Sequence, residues 1–201
     1  MSDNQTARPT TFLYRLAGVV VPAFFRLFYR VQVEGVEHVP TEGGIIVASN
    51  HISNFDPPLL GVVVPRYIRF MGKAELFSTP VLGNIFKELG AFPIHRGKVD
   101  KHAIRTAIEV VQKGGCLVMF PEGHRSKTGE LGEFMPGIAH IARKGGGKIV
   151  PTAIVGSYRR FKPMLVRFGK PLDVAAFPNQ QLMEELRQQM IFLLQQNKEK
   201  V

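Results

Sequence analysis

One cysteine, Cys116, is all the thiol chemistry that the 201-residue chain holds. A single cysteine excludes an internal disulfide and a cysteine-rich metal site, and it fits a reducing, cytosolic setting. Acidic residues are also scarce: 16 Asp and Glu stand against 26 Lys and Arg, a net charge of +10. That imbalance implies an anionic partner: nucleic acid, an acidic membrane surface or a phosphorylated small molecule. Nucleic-acid readers set aromatic platforms or a recognition helix beside their basic residues, whereas the aromatics here lie mostly in apolar runs, so nucleic acid is not expected. No segment is long enough to span a bilayer. The stretch from Thr10 to Val33 is apolar and aromatic, but Arg15, Arg26 and Arg30 interrupt it and Pro22 sits within it. Its longest uncharged run, Leu16 to Phe25, falls far short of the roughly 20 residues a spanning helix needs. There is no small-residue cleavage site of the secretory type, no internal repeat, no evident linker and no Gly-x-Ser-x-Gly nucleophile elbow.

Hydrophobic residues make up 45% and charged residues 21%, enough apolar side chains for one substantial core. Residues 1–30 read as an amphipathic helical segment, either one helix or two with the break at Pro22. On a helical wheel Arg8, Arg15, Arg26 and Arg30 share a sector opposite Leu, Val and Phe. This is the pattern of a helix lying in a membrane interface, and equally of a helix packed on its own domain. Residues 31–201 then alternate short strands and helices. Strands are expected near 31–34, 45–49, 67–71, 91–94, 116–120, 149–155 and 164–168. Helices are expected near 57–64, 75–77, 81–89, 137–144 and 182–194, with one more capped by Asp100 and stopped at Gly114-Gly115. The fold class is a single α/β domain with a mixed or largely parallel central sheet and helices on both faces.

In such sheets ligands gather in the loops that follow the strands. Polar clusters follow the predicted strands at Asn50-His51-x4-Asp56, Gly72-Lys73, His95-Arg96-Gly97 and Pro121-Glu122-Gly123-His124-Arg125-Ser126. On a continuous helix His51 and Asp56 would point well apart. Pro57, however, disfavours helical geometry at Asp56 and suits the first helical position. The segment is therefore a loop in which the Asp56 carboxylate turns back to a ring nitrogen of His51. Such a carboxylate fixes the imidazole tautomer and stabilises the imidazolium formed when the other nitrogen takes a proton. Capping the following helix competes for the same carboxylate, and one oxygen for each task is expected. Cys116 opens an apolar strand and is no candidate for a reactive thiolate. His51 is thus read as a general base acting on a hydroxyl of the substrate itself. Arg96 offers a planar fork for phosphate. Arg125 and Ser126 are phosphate-type donors, Gly123 permits close backbone approach, and Glu122 could orient them or the attacking hydroxyl. Lys73 adds a further cation. Together they outline a pocket for a phosphomonoester beside a base.

These residues resemble the motifs of the glycerolipid acyltransferases, and in particular the bacterial 1-acylglycerol-3-phosphate acyltransferases of the PlsC type. The matching blocks are Asn50-His51-x4-Asp56, Gly90-Ala91-Phe92-Pro93-Ile94-His95-Arg96, Phe120 through Ser126, and Val150-Pro151-Thr152-Ala153-Ile154. They stand in order across roughly residues 31–170. The resemblance implies that His51 is the catalytic base and Asp56 its orienting partner. It implies that Arg96, Glu122 and Gly123 bind the glycerol phosphate and that Pro151 shapes the pocket. It further implies lysophosphatidic acid as acceptor, acyl-CoA or acyl carrier protein as donor, no cofactor or metal, and a peripheral or monotopic place on the cytoplasmic face of an anionic membrane; glycerol 3-phosphate or another lysophospholipid is the alternative acceptor, and a non-catalytic basic membrane-binding protein the alternative function. His124 stands where that family usually carries threonine, so the loop can bring a titrating charge beside the phosphate donors.

Overall fold

The structure is a computed structural model that describes residues 9–95, 97, 99–126 and 128–196. A seven-stranded sheet forms its middle layer. The strands are β1 (Arg30–Glu34), β2 (Ile45–Ser49), β3 (Ile68–Lys73), β4 (Ala91–Ile94), β5 (Cys116–Met119), β6 (Lys148–Gly156) and β7 (Pro163–Phe168). Their order across the sheet is β1-β7-β6-β2-β5-β3-β4. From β6 to β4 all neighbours are parallel. Only β7 turns back against β6, carrying β1 with it. The mixed, largely parallel sheet expected from the sequence is the one observed.

The helices are α1 (Phe12–Phe28), α2 (Asp56–Val63), α3 (Pro80–Glu88), α4 (Lys101–Gln112), α5 (Gly137–Gly145) and α6 (Asn179–Gln195). One face of the sheet packs on α4, α5 and α6 through Ala107, Val110, Ile138, Ile141, Leu186 and Met190. The other packs on α1 and α2 through Phe25, Leu59 and Leu60. β2 lies at the centre, and its Ile46, Val47 and Ala48 are fully buried. A strand covered on both sides has no polar face to alternate with, which is why this stretch reads as a continuous apolar run.

The topology also fixes where loops diverge. The chain leaves β2 for β3 on one side, and leaves β5 for β6 across β2 on the other. The loops after β2, β5 and β6 therefore open a crevice at the C-terminal end of the central strand, the usual place for a ligand in an open α/β sheet.

Of the two readings of the N-terminal segment the single helix is the one observed, and the helical placement of Arg30 is corrected. α1 is one helix that runs through Pro22. The proline takes a hydrogen-bond donor from the carbonyl of Gly18, which is exposed, so solvent can satisfy it. Arg30 is not on that helix, because the helix ends at Phe28 and Arg30 opens β1. Arg8 lies outside the described residues. The two alternatives for α1 are not exclusive. Tyr14, Ala17, Val21, Phe24, Phe25 and Phe28 line its inward face, while Phe12, Leu16, Val19, Val20 and Leu27 are exposed on the outward one.

Candidate active site

β2 ends where Asn50 replaces an apolar residue. Its amide mimics one more rung of the sheet: Nδ2 donates to the Ile154 carbonyl at 3.0 Å, and Oδ1 accepts from the Ile154 amide at 2.7 Å. The side chain thus pairs with β6 while the main chain turns out of the ladder, and the next residue is His51. His51 is fixed from both sides of its backbone. Its N–H donates to Glu122 Oε1 at 3.1 Å, and its carbonyl accepts from the Ser126 amide at 2.7 Å. The imidazole stacks on Phe120, with ring centroids 4.0 Å apart and planes 17° from parallel. Its Nδ1 lies 2.7 Å from Asp56 Oδ2. A carboxylate only accepts, so Nδ1 carries the proton and Nε2 presents its lone pair. His51 is 8% exposed and Asp56 is fully buried at 0%.

The Asp56 carboxylate does not divide its oxygens as the sequence reading expected. Its bonds go to His51, Ile52, Ser53 and Tyr158, none of them in α2. Oδ2 takes His51 together with the loop amides of Ile52 at 2.7 Å and Ser53 at 2.8 Å. Oδ1 accepts the hydroxyl of Tyr158 at 2.7 Å. The physical reason is the pair of prolines that opens the helix. Pro57 and Pro58 have no N–H, so the first turn lacks the donors a cap would satisfy. The shared arrangement does occur elsewhere, at a second His-x4-Asp pair. Asp100 Oδ1 accepts the amides of His102 and Ala103 at the start of α4, and its Oδ2 accepts both the backbone N–H and Nδ1 of His95. The Ala103 amide and then His95 hold the Asp100 carboxyl well below the usual carboxylate range. That pair is largely exposed on its histidine side, whereas His51 is packed and stacked.

The residues predicted for substrate binding fall into distinct sets. Glu122 is 2% exposed, with Oε1 on the His51 amide and Oε2 on the Gly132 amide at 2.9 Å. Its carboxylate thus organises the loop that holds His51. Ser126 uses its amide on His51 and its hydroxyl within its own turn, where it donates to the Glu130 carbonyl and accepts from the Gly129 amide. Gly123 sits at φ 69° on the same loop, and Arg125 and His124 are exposed beside it. Lys73 ends β3, two strands from β2, and is exposed. Arg96 lies outside the described residues. Pro151 is buried within β6, where its carbonyl accepts from the Gly169 amide. Burial pushes the Cys116 thiol up to about 12, against a smaller opposing effect of Arg66, in agreement with an unreactive cysteine. Ser53 Oγ accepts from the Phe55 amide, within the same loop. A cavity of about 860 Å³ adjoins the loop after His51, with walls that include Ile52, Ser126, Leu131, Ile154, Tyr158 and Arg159 but neither member of the pair. Among the described residues no group of His, Cys, Asp and Glu gathers as a metal would require.

The sequence reading left three contributors without a role. Phe120 and Asn50 stand inside the quoted motifs, but nothing in their spacing tells that one stacks on His51 and the other extends the sheet. Tyr158 stands outside every motif, and no spacing rule connects it to Asp56 across 102 positions.

Comparison with known proteins gives the constellation a family. Residues 30–155 match the family model described as Acyltransferase. A 1-acyl-sn-glycerol-3-phosphate acyltransferase of Bacillus subtilis is 30% identical over 172 residues, which are 82% of this chain and 85% of that protein. A chloroplastic enzyme of the same description from Arabidopsis thaliana is 32% identical over 135 residues, 65% of this chain but only 37% of the relative. The chain thus spans little more than a third of the plant protein's length. The crystal structure of the 1-acyl-sn-glycerophosphate acyltransferase PlsC from Thermotoga maritima superposes with a TM-score of 0.77 at 27% identity, covering 92% of this chain and 80% of that one. An open α/β sheet with a buried His-x4-Asp pair at the end of its central strand, matched along most of its length in sequence and in fold, places this chain in the PlsC-type 1-acyl-sn-glycerol-3-phosphate acyltransferase family.

Proposed function

We propose that this acyltransferase moves a fatty acyl group from an acyl thioester to the sn-2 hydroxyl of lysophosphatidic acid, giving phosphatidic acid, with His51 as general base. The observation that carries this reading is the buried His51–Asp56 contact at 2.7 Å, which leaves Nε2 as the imidazole's basic position. Nε2 takes the hydroxyl proton as that oxygen attacks the thioester carbonyl. The carbon–sulfur bond breaks as the tetrahedral intermediate collapses, the thiolate of CoA or of acyl carrier protein leaves, and the proton on Nε2 passes to that sulfur, which restores the base. A thiolate is a weak base, so its departure makes little demand on a general acid. Asp56 supports the imidazolium while it exists. Lys73, Gly123 and Arg125 hold the phosphate at the C-terminal edge of the sheet, and Arg96 is assigned to the same task on the resemblance of its motif. Glu122 and Ser126 contribute by holding the backbone of His51. Positioning of this kind lowers such a barrier by on the order of several kcal/mol. The cavity that adjoins the loop after His51 has room for a lipid-sized ligand. The outward apolar stripe of α1, with Arg15 and Arg26, rests on the anionic cytoplasmic face of the membrane from which the acceptor is drawn.

The test is a panel of acceptors offered with one labelled acyl-CoA and separated by thin-layer chromatography. Lysophosphatidic acid should be acylated in preference to glycerol 3-phosphate and to lysophospholipids with other head groups, and His51→Ala should fold normally yet transfer almost nothing. Near-normal transfer by His51→Ala would overturn the mechanism. Preference for another acceptor would move the substrate while leaving the base in place, and release of free fatty acid in place of acylated lipid would make the protein a hydrolase.

A further inference from the structure

The mechanism gives no task to one oxygen of the buried pair, Oδ1 of Asp56. Oδ2 of Asp56 is held by His51 Nδ1 and the amides of Ile52 and Ser53, all supplied by the loop it belongs to. Oδ1 has a partner from a different element: the hydroxyl of Tyr158, on the segment just after β6. Rotation of a carboxylate about its last bond is soft and roughly two-fold, so donors on one oxygen alone leave the group free to tilt. The phenol opposes that tilt from the other side. The ring that carries it is itself fixed. It meets Tyr29 edge-on at 5.7 Å and Phe55 at 5.6 Å, and Phe55 in turn rests against Phe24 of α1. Burial, and then the charge and hydrogen bond of Asp56, push the Tyr158 hydroxyl far above the usual phenol range, so it remains a donor at every pH at which the protein would work.

We propose that Tyr158 is a positioning residue of the acyl transfer: its hydroxyl holds Oδ1 of Asp56 so that Oδ2 stays aligned on Nδ1 of His51 and Nε2 stays aimed at the acceptor hydroxyl. Its hydroxyl acts through Asp56 and not on the reacting atoms, while the residue forms part of the wall of the adjoining cavity. This rests on the reading of His51 as the base, and it assigns a role to a residue that no motif contains.

The experiment uses the full chain and steady-state transfer from acyl-CoA to lysophosphatidic acid. Tyr158→Phe keeps the ring and its contacts with Tyr29 and Phe55 and removes only the donor. Its kcat should fall about tenfold or more, the effect of one lost hydrogen bond to a charged group, while KM for both substrates changes little. The far-downfield proton resonance of His51 Nδ1–H should shift or broaden. In an Asp56→Asn background the same change should have almost no further effect on the residual rate, because the group it acts through is already altered. An unchanged kcat, a rise in KM alone, or a full additive loss in the Asp56→Asn background would each overturn the proposal. So would failure of Tyr158→Phe to fold by circular dichroism, since the hydroxyl would then serve the fold. His51→Ala is measured beside it: activity retained there sinks the general-base reading, whereas an inactive His51→Ala with a normal Tyr158→Phe sinks only the role of Tyr158.

Discussion

Two aspartates follow two histidines at the same spacing, and proline decides what each carboxylate does. Before α4 the amides of His102 and Ala103 are available, and Asp100 divides itself between them and His95. Before α2 the corresponding donors are absent, and Asp56 serves His51, its own loop and Tyr158. The His51–Asp56 contact was therefore legible from a strand end, a spacing and a following proline. The second oxygen was not, because its partner comes from the far side of β6, and only the folded sheet brings Tyr158 near. Cys116 allows a residue-scale prediction. Its folded thiol titrates near 12, above an ordinary value of 9.0, so the folded state keeps a proton that the unfolded state loses. Stability from this group is present below about pH 9 and is lost as pH rises from there toward 12, at about 1.4 kcal/mol per unit. Urea unfolding at pH 8 and pH 10 should show a smaller alkaline loss for Cys116→Ala than for the parent, and a thiol reagent should label Cys116 only after unfolding. Equal alkaline losses in the two proteins would show that the thiol is not protected.

The loop from Phe120 to Met135 is held to β2 through Glu122, and this is the element-scale counterpart of the dyad. Sequence placed Glu122 among ligand-facing residues because it follows a strand in a polar cluster. The structure turns it inward, where its two oxygens accept the amides of His51 and Gly132. A polar residue at a strand end looks the same in sequence whether it meets a ligand or a buried amide, and only the fold distinguishes the two. Strand and helix positions were more legible, because burial on both faces writes a continuous apolar run into β2 and β5, and the α4 cap is local chemistry. Glu122→Ala should leave the His51 amide buried and unpaired, at on the order of 1–3 kcal/mol, with a smaller contribution from the less buried Gly132. Urea unfolding should show a lower midpoint with an unchanged slope, and kcat should fall as the backbone of His51 loosens. A midpoint equal to the parent's would mean that solvent satisfies those amides and that the loop does not depend on this carboxylate.

At the scale of the molecule, charge and exposed apolar surface point the same way. No helix among the described residues is long and apolar enough to cross a membrane. The excess of 10 positive charges favours an anionic surface but does not by itself choose one. The proposal of a membrane surface rests on α1. Its inward face completes the core beside α2, so the helix is a fixed part of the domain. Its outward face leaves Val19 at 69% and Leu27 at 66% exposed, with Arg15 and Arg26 on its exposed side. Helix periodicity in the sequence showed an amphipathic segment but not a helix with two apolar stripes, one for the core and one left over. Because the outward residues have little to do with the core, Val19→Glu combined with Leu27→Glu should leave thermal unfolding unchanged. The same pair should weaken co-sedimentation with vesicles rich in acidic phospholipid by on the order of tenfold or more, given the apolar area withdrawn from the bilayer. Added salt should weaken binding of the parent as well, since attraction between basic residues and an acidic surface is screened by salt. Transfer to a short-chain, water-soluble lysophosphatidic acid should survive the double substitution, because the dyad is untouched, while transfer to vesicle-embedded acceptor should fall. Vesicle binding unchanged by the two glutamates would mean that another surface meets the membrane and that the outward stripe of α1 has a different use.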